Sequence, residues 1–268
     1  MIKDIVINIA QDKVKVSSLM GSGVDPHLFK ASFSDIQKIN NSDLIFYNGL
    51  FLEGKLVDIL DRMSKEKSCF AVTRDIDKTK LLDSETYANH YDPHIWFDIN
   101  LWIEATNLVL KELSIILPQH KEIFSKNAKN YISKLNLLDS KVKKEISKIP
   151  SERRILITAH DAFGYFGKAY DIQVKGLQGI STASEFGLYD LKNISDLIID
   201  KKIKAIFVEN SVSTKFIKAL QEGVNREGRD VKIGGELYSD AMGPDGTKEG
   251  TYIGMVEHNL KTIVNALK

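Results

Sequence analysis

Cysteine is nearly absent: Cys69 is the one thiol in 268 residues, which excludes an intramolecular disulfide and a cysteine-rich zinc cluster. Its setting, KSCFAVT, is apolar, so it reads as a small buried hydrophobe. Net charge is nearly absent too. Lys and Arg number 37 against 36 Asp and Glu, a balance of +1 that argues against nucleic acid or any other polyanionic partner. No run reaches the roughly 18 consecutive apolar residues of a membrane-spanning helix. The opening MIKDIVINIAQDKV has no long apolar stretch followed by a small-residue cleavage site. That is expected of a cytoplasmic protein or of the mature form of an exported one. No low-complexity tract interrupts the chain. What remains, 43% hydrophobic and 27% charged residues, suffices for a buried core.

Short β-branched runs alternate with amphipathic helical stretches, the pattern of an α/β protein with mostly parallel sheets. The expected strands are KVKVSSL, DLIFYN, CFAVT, RILITA, IQVKGL, AIFVE and VKIGGEL. SFSDIQKINN reads as a helix that starts at Ser32 or Ser34. One segment stands apart: from Pro118 to Ile149, about 32 residues pass without an internal Gly or Pro. Ile123, Phe124, Ala128, Tyr131, Ile132, Leu135, Leu138 and Val142 recur there near the 3.6-residue period. Such a helix would be roughly 45–50 Å long, more than a small domain is wide. The division expected is an N-terminal α/β lobe over 1–117, a rigid connecting helix over 118–150 and a C-terminal α/β lobe over 151–268, both lobes Rossmann-like.

Six histidines are present. His90, His120 and His258 read as surface or capping residues. His27 follows KVKVSSL through a Gly-Ser-Gly turn, and His94 lies in YDPHIWFD ahead of a helix near Phe97. His160 ends RILITA, and Asp240 follows VKIGGEL. All four are thus expected in strand-to-helix loops, which in open α/β sheets cluster where ligands bind. Two would come from each lobe. Three imidazoles and one carboxylate in a cleft make a site for a first-row divalent metal. Taken singly, each is weak, since a loop histidine or an aspartate before a Gly-Pro turn is usually structural.

Four ordered stretches carry a resemblance over nearly the whole chain. They are GSGVDPHLFKASFSDIQKINNSDLIFYNGLFLEGKL, DPHIWFD, ITAHDAFGYFGKAYDIQVKGLQGISTASE and LYSDAMGPDGTKEGTYIGMVEHNLKTIV. Together they resemble the metal-binding solute receptors of bacterial ABC importers, the TroA-like/ZnuA-like zinc and manganese family, also called adhesin lipoproteins. The resemblance implies two α/β lobes joined by one long helix and one Mn2+ or Zn2+ per chain as transported ligand. It places the metal ligands at His27, His94, His160 and Asp240, the set already chosen. It implies a monomer at the periplasm or cell surface that delivers metal to a membrane ABC permease. Lipid-anchored members carry an N-terminal cysteine, a role Cys69 cannot fill. Zinc-dedicated members often carry a His-rich loop between the first two histidine motifs. Residues 54–93 hold only His90, which favours manganese or mixed specificity.

Four protein ligands close a metal shell, whereas catalytic zinc keeps a position open for water, so the expectation is a carrier and not an enzyme. The alternatives are a surface adhesin with a structural metal and a zinc-dependent hydrolase using Glu209 or Asp161 as base. Asn48, Glu53 and Glu209 are expected to orient the imidazoles, as is Glu185, which could instead face the transporter. Because each imidazole binds metal only when neutral, affinity is expected to fall as pH drops from about 7 to about 5.

Overall fold

A computed structural model describes residues 1–84, 90–184 and 187–268. The order is helix α1 (Ile2–Ala10), α2 (Phe33–Asn40), strand β1 (Leu44–Tyr47), α3 (Val57–Glu66), β2 (Ser68–Ala71) and α4 (Ile99–Ile116). After the long helix α5 (Lys121–Ile146) come β3 (Ile155–His160), α6 (Gly164–Tyr170), β4 (Gln173–Gln178) and α7 (Leu188–Asp200). The chain then runs through β5 (Ala205–Glu209), α8 (Lys215–Arg226), β6 (Lys232–Leu237) and α9 (Tyr252–Leu267). Among the described residues three parallel two-stranded ladders result: β1 with β2, β3 with β4, and β5 with β6. The last two lie side by side, β3 beside β5.

Six of the seven expected strands form. KVKVSSL does not. Lys13 closes a short 3-10 turn, Val14 is extended, and no ladder follows. The run turns three side chains inward, Val14 and Val16 onto the main core and Leu19 onto a smaller one around Leu60 and Met63, without a neighbouring strand. His27 therefore follows an unpaired extended segment, not a strand.

Ser32 is the N-cap of α2. Its hydroxyl accepts the Asp35 N–H, and the Asp35 carboxylate accepts the Ser32 N–H, a reciprocal capping box.

Helix α5 has 26 residues, about 39 Å, shorter than the sequence suggests. Pro118–His120 wind as a 3-10 turn before it, and the backbone leaves the helix after Ile146. Phe124, Ala128, Tyr131, Leu135, Leu138 and Val142 are buried as the period requires. Ile123 is 38% exposed, because in the first turn Phe124 takes the inward position instead. The buried stripe packs against α1 and α4 on one side and α9 and α6 on the other. One core accordingly runs through both lobes, from Ile5 to Leu267. Each fully buried Leu, Ile or Phe in it contributes roughly 1.5–3 kcal/mol of hydrophobic stabilisation.

β3 and β5 are buried at every position, the mark of central parallel strands. Successive side chains alternate between two cores. Leu156, Ala205 and Phe207 join the main one; Ile155, Ile157, Ala159, Ile206 and Val208 join the smaller core beneath α7 and α8. β3 thus carries its last residue, His160, on a rigid, fully covered strand. At Gly176 of β4 a Cβ would collide with the Asp161 backbone, so only glycine lets the neighbouring strand approach the turn after His160. Cys69 is buried in a third core with Leu60 and Met63, and burial pushes its thiol up to about 11.

Candidate metal centre

His27, His94, His160 and Asp240 are all buried and offer one ligand atom each, all within 4.8 Å of one another. The His27 and His94 Nε2 atoms are 3.3 Å apart. Asp240 Oδ1 lies 3.4 Å from His94 Nε2. Its Oδ2 lies 3.2 Å from His160 Nε2 and 3.7 Å from His27 Nε2. A tetrahedral shell with bonds of about 2.0–2.1 Å has edges of roughly 3.3 Å, so these spacings are those of ligands around one ion. The donor set fits in a second respect. Neither Asp240 oxygen, nor His160 Nε2, has an aligned hydrogen-bond partner among the described residues. Buried polar atoms are normally satisfied, and here a cation would satisfy them.

Each ligand is held by its own local chemistry. Asp92 Oδ1 accepts the His94 N–H at 2.9 Å and pairs with His94 Nδ1 at 2.6 Å, which turns Nε2 toward the site. Glu209, at the end of β5, accepts the His160 N–H at 2.8 Å and also pairs with His160 Nδ1. Asn210 flanks Asp240 on both sides: its side chain accepts the Ser239 N–H and donates to the Ala241 carbonyl. Trp96 Nε1 donates to the Ser239 carbonyl from the other side of the cleft, at 3.0 Å. Asp25 Oδ1 accepts the His27 N–H at 2.9 Å.

The electrostatics separate the histidines. Burial draws His94 down, but Asp92 and Asp240 outweigh it and hold the imidazole at about 9. Burial also opposes the charge on His160, and Glu209 with Asp240 raise it well above the ordinary value. Nothing comparable offsets the burial of His27. Asp240 supports its charge while His94 and His160 oppose it, and it falls to about 3. Burial acts to raise Asp240, yet the neighbouring His160 and His94 hold it well below the usual carboxylate range.

Of the supporting residues expected from sequence, Glu209 touches an imidazole. Asn48 and Glu53 act one step further away. Glu53 accepts the Asn48 and Gly49 N–H groups, at 2.7 and 3.2 Å, and Asn48 Nδ2 donates to the Pro93 carbonyl beside His94. Burial raises the Glu53 carboxyl despite those two donors. Glu185 lies outside the described residues. Asp92 escaped the sequence reading, although the tripeptide Asp-Pro-His was visible twice. The other three histidines stay apart from the cluster: His90 packs on Phe51, His120 on Phe124, and His258 on Tyr238.

The chain has counterparts among known proteins. Residues 1–266 match the family described as ZnuA, the periplasmic component A of the zinc-uptake complex. The manganese-binding lipoprotein MntA of Bacillus subtilis is 51% identical over 267 residues, covering 100% of this chain and 87% of MntA. The zinc-binding protein TroA of Treponema pallidum is 45% identical over 267 residues, with 100% and 86% covered. The solved structure of that periplasmic TroA superposes with a TM-score of 0.97, at 45% identity, over 100% of this chain and 96% of TroA. A manganese-bound periplasmic metal-binding protein of Candidatus Liberibacter asiaticus superposes with a TM-score of 0.86, at 26% identity, over 100% and 96%. The two-lobed fold bridged by a long helix, with its His3Asp cluster, thus sits in a chain that belongs to the ZnuA family of metal-uptake solute-binding proteins.

Proposed function

We propose that this protein captures one Mn2+ or Zn2+ between its lobes with His27, His94, His160 and Asp240 and delivers it to a membrane ABC permease. The observation that carries the reading is the convergence of three Nε2 atoms on a buried carboxylate that has no other aligned partner. The lobes are taken as residues 1–117 and 151–268, with 118–150 as the connector. The protein acts as a monomer at the periplasm or cell surface, in keeping with relatives named as periplasmic proteins and lipoproteins. No helix among the described residues is long and apolar enough to cross a membrane.

Capture is an exchange of charges. In the metal-free site at neutral pH, His94 and His160 carry protons beside Asp92, Glu209 and Asp240. An arriving divalent ion takes the place of those two protons, so the buried charge stays balanced. His27, already neutral, needs no deprotonation. Carriage is favoured over hydrolysis because four side chains close the shell and Glu209 is committed to His160. Manganese and zinc are not separated by this donor set, since zinc outbinds manganese at nearly any N/O site. The test is calorimetry of metal-free protein with Mn2+ and Zn2+, beside the metal content of protein isolated from its native cells. One ion per chain, lost in His94→Ala, is expected; an ion still bound at full affinity in that variant defeats the proposal.

A further inference from the structure

Residues 21–25 lead to His27, and they also reach across the cleft. Ser22 Oγ donates to the Met242 carbonyl at 2.9 Å, two residues beyond Asp240. Gly23 has φ +71°, and a Cβ there would stand 3.5 Å from the Asn210 carbonyl oxygen. Asp25 Oδ2 accepts the Thr182 hydroxyl at 2.6 Å. These three neighbours lie on the loops that follow β6, β5 and β4, all beyond α5. On the upstream side, residues 14–18 belong to no ladder. The segment is therefore a strap, unanchored by any sheet behind it and fastened to the opposite lobe by two side-chain hydrogen bonds.

Asp25 joins the two functions of the strap. One oxygen fixes the turn that presents His27, and the other ties that turn to Thr182. We propose that Asp25 is a positioning residue that sets how long the metal stays: by bonding Thr182 it keeps His27 pressed onto the other three ligands. This rests on the metal-carrier reading above. The coupling has a physical basis. The His27 N–H and the Thr182 hydroxyl are joined through the two oxygens of one carboxylate, so the contact across the cleft and the placement of the ligand move together. An ion held by His27 on one side of the cleft and Asp240 on the other keeps the strap closed, so loading favours the Asp25–Thr182 bond and breaking the bond favours loss of the ion.

The test is the rate at which a strong chelator strips Mn2+ or Zn2+ from loaded protein, followed by stopped flow with a metal indicator. Thr182→Val removes the hydroxyl and leaves the Asp25 turn intact. A hydrogen bond to a charged acceptor is lost, so metal release is expected to accelerate roughly tenfold. Thr182→Ser keeps the hydroxyl and should release metal at the wild-type rate. Thr182→Ala provides the same test by truncation should valine disturb the loop. Equal release rates in wild type and both hydroxyl-less variants overturn the strap while leaving the carrier reading in place. Wild type that retains no metal overturns both.

Discussion

The tripeptide Asp-Pro-His occurs at 25–27 and again at 92–94, and the two copies begin alike. In each, the aspartate accepts the N–H of its own histidine at 2.9 Å, an Asx turn that the intervening proline, which has no N–H, leaves undisturbed. They part at the next contact. Asp92 swings onto Nδ1 of His94, whereas Asp25 turns away to Thr182. Among the described residues no carboxylate pairs with His27 Nδ1. One histidine is consequently held at about 9 and the other at about 3. An identical motif yields a proton-holding ligand in one place and a neutral ligand in the other, because each environment assigns the aspartate a different partner.

The sharpest way to break the comparison is to delete each histidine. His27→Ala and His94→Ala should each weaken metal binding at least about a hundredfold, since four ligands together supply roughly 10–16 kcal/mol in structural zinc sites. Equilibrium competition with a chelator of known affinity measures it. Asp92→Asn comes next, with a loss of about 10–100-fold, as for other residues that orient a metal-bound imidazole. The third expectation concerns protons. At pH 7 about two should leave per ion bound, from His94 and His160, and about one in Asp92→Asn. Calorimetry in buffers of different ionisation enthalpy counts them; a count of zero or three contradicts the division between the histidines. It also moves the pH window. Affinity should still be rising at about pH 9, where His94 loses its proton unaided, a wider range than the unperturbed imidazole value suggests.

Stability of the metal-free protein gives a smaller signal. The His94 value is raised in the folded chain, so its contribution is complete below about pH 6.5 and is lost as pH rises through about 9. The His27 value is depressed, so stability is lost instead as pH falls from about 6.5 toward 3. Thermal melts should therefore peak between those limits, and Asp92→Asn should flatten the alkaline limb. Least of all, Gly23→Ala should cost about 1 kcal/mol through its left-handed backbone, read from chemical denaturation.

Much of this was legible in the sequence. β-branched runs marked six strands, because burial on both faces of β3 and β5 needs continuous apolar sequence. KVKVSSL failed for a related reason: alternation identifies an inward face but not the partner that makes a ladder. The long helix was recognised from its period and overextended at both ends, where 3-10 and turn geometry preserve the same spacing. His27 was found through an element that does not exist; the Gly-Ser-Gly turn and the resemblance, not a strand, marked its place. Asp92 was overlooked because a motif read for its metal-binding histidine hides the carboxylate beside it. Asn48 and Glu53 showed as loop polar residues, but their action through the Pro93 carbonyl depends on a contact 45 positions away along the chain.

The four ligands are strung from residue 27 to residue 240, with no two of them on one local turn. An unfolded chain therefore presents the four ligands far apart along the sequence, and the high-affinity cluster comes into being only when the most distant contacts of the fold have closed. Binding to the native state alone makes the ion a thermodynamic brace, raising stability with the logarithm of its free concentration. It also imposes an order on biosynthesis: the polypeptide must finish folding before it can be charged, in whichever compartment that folding is completed.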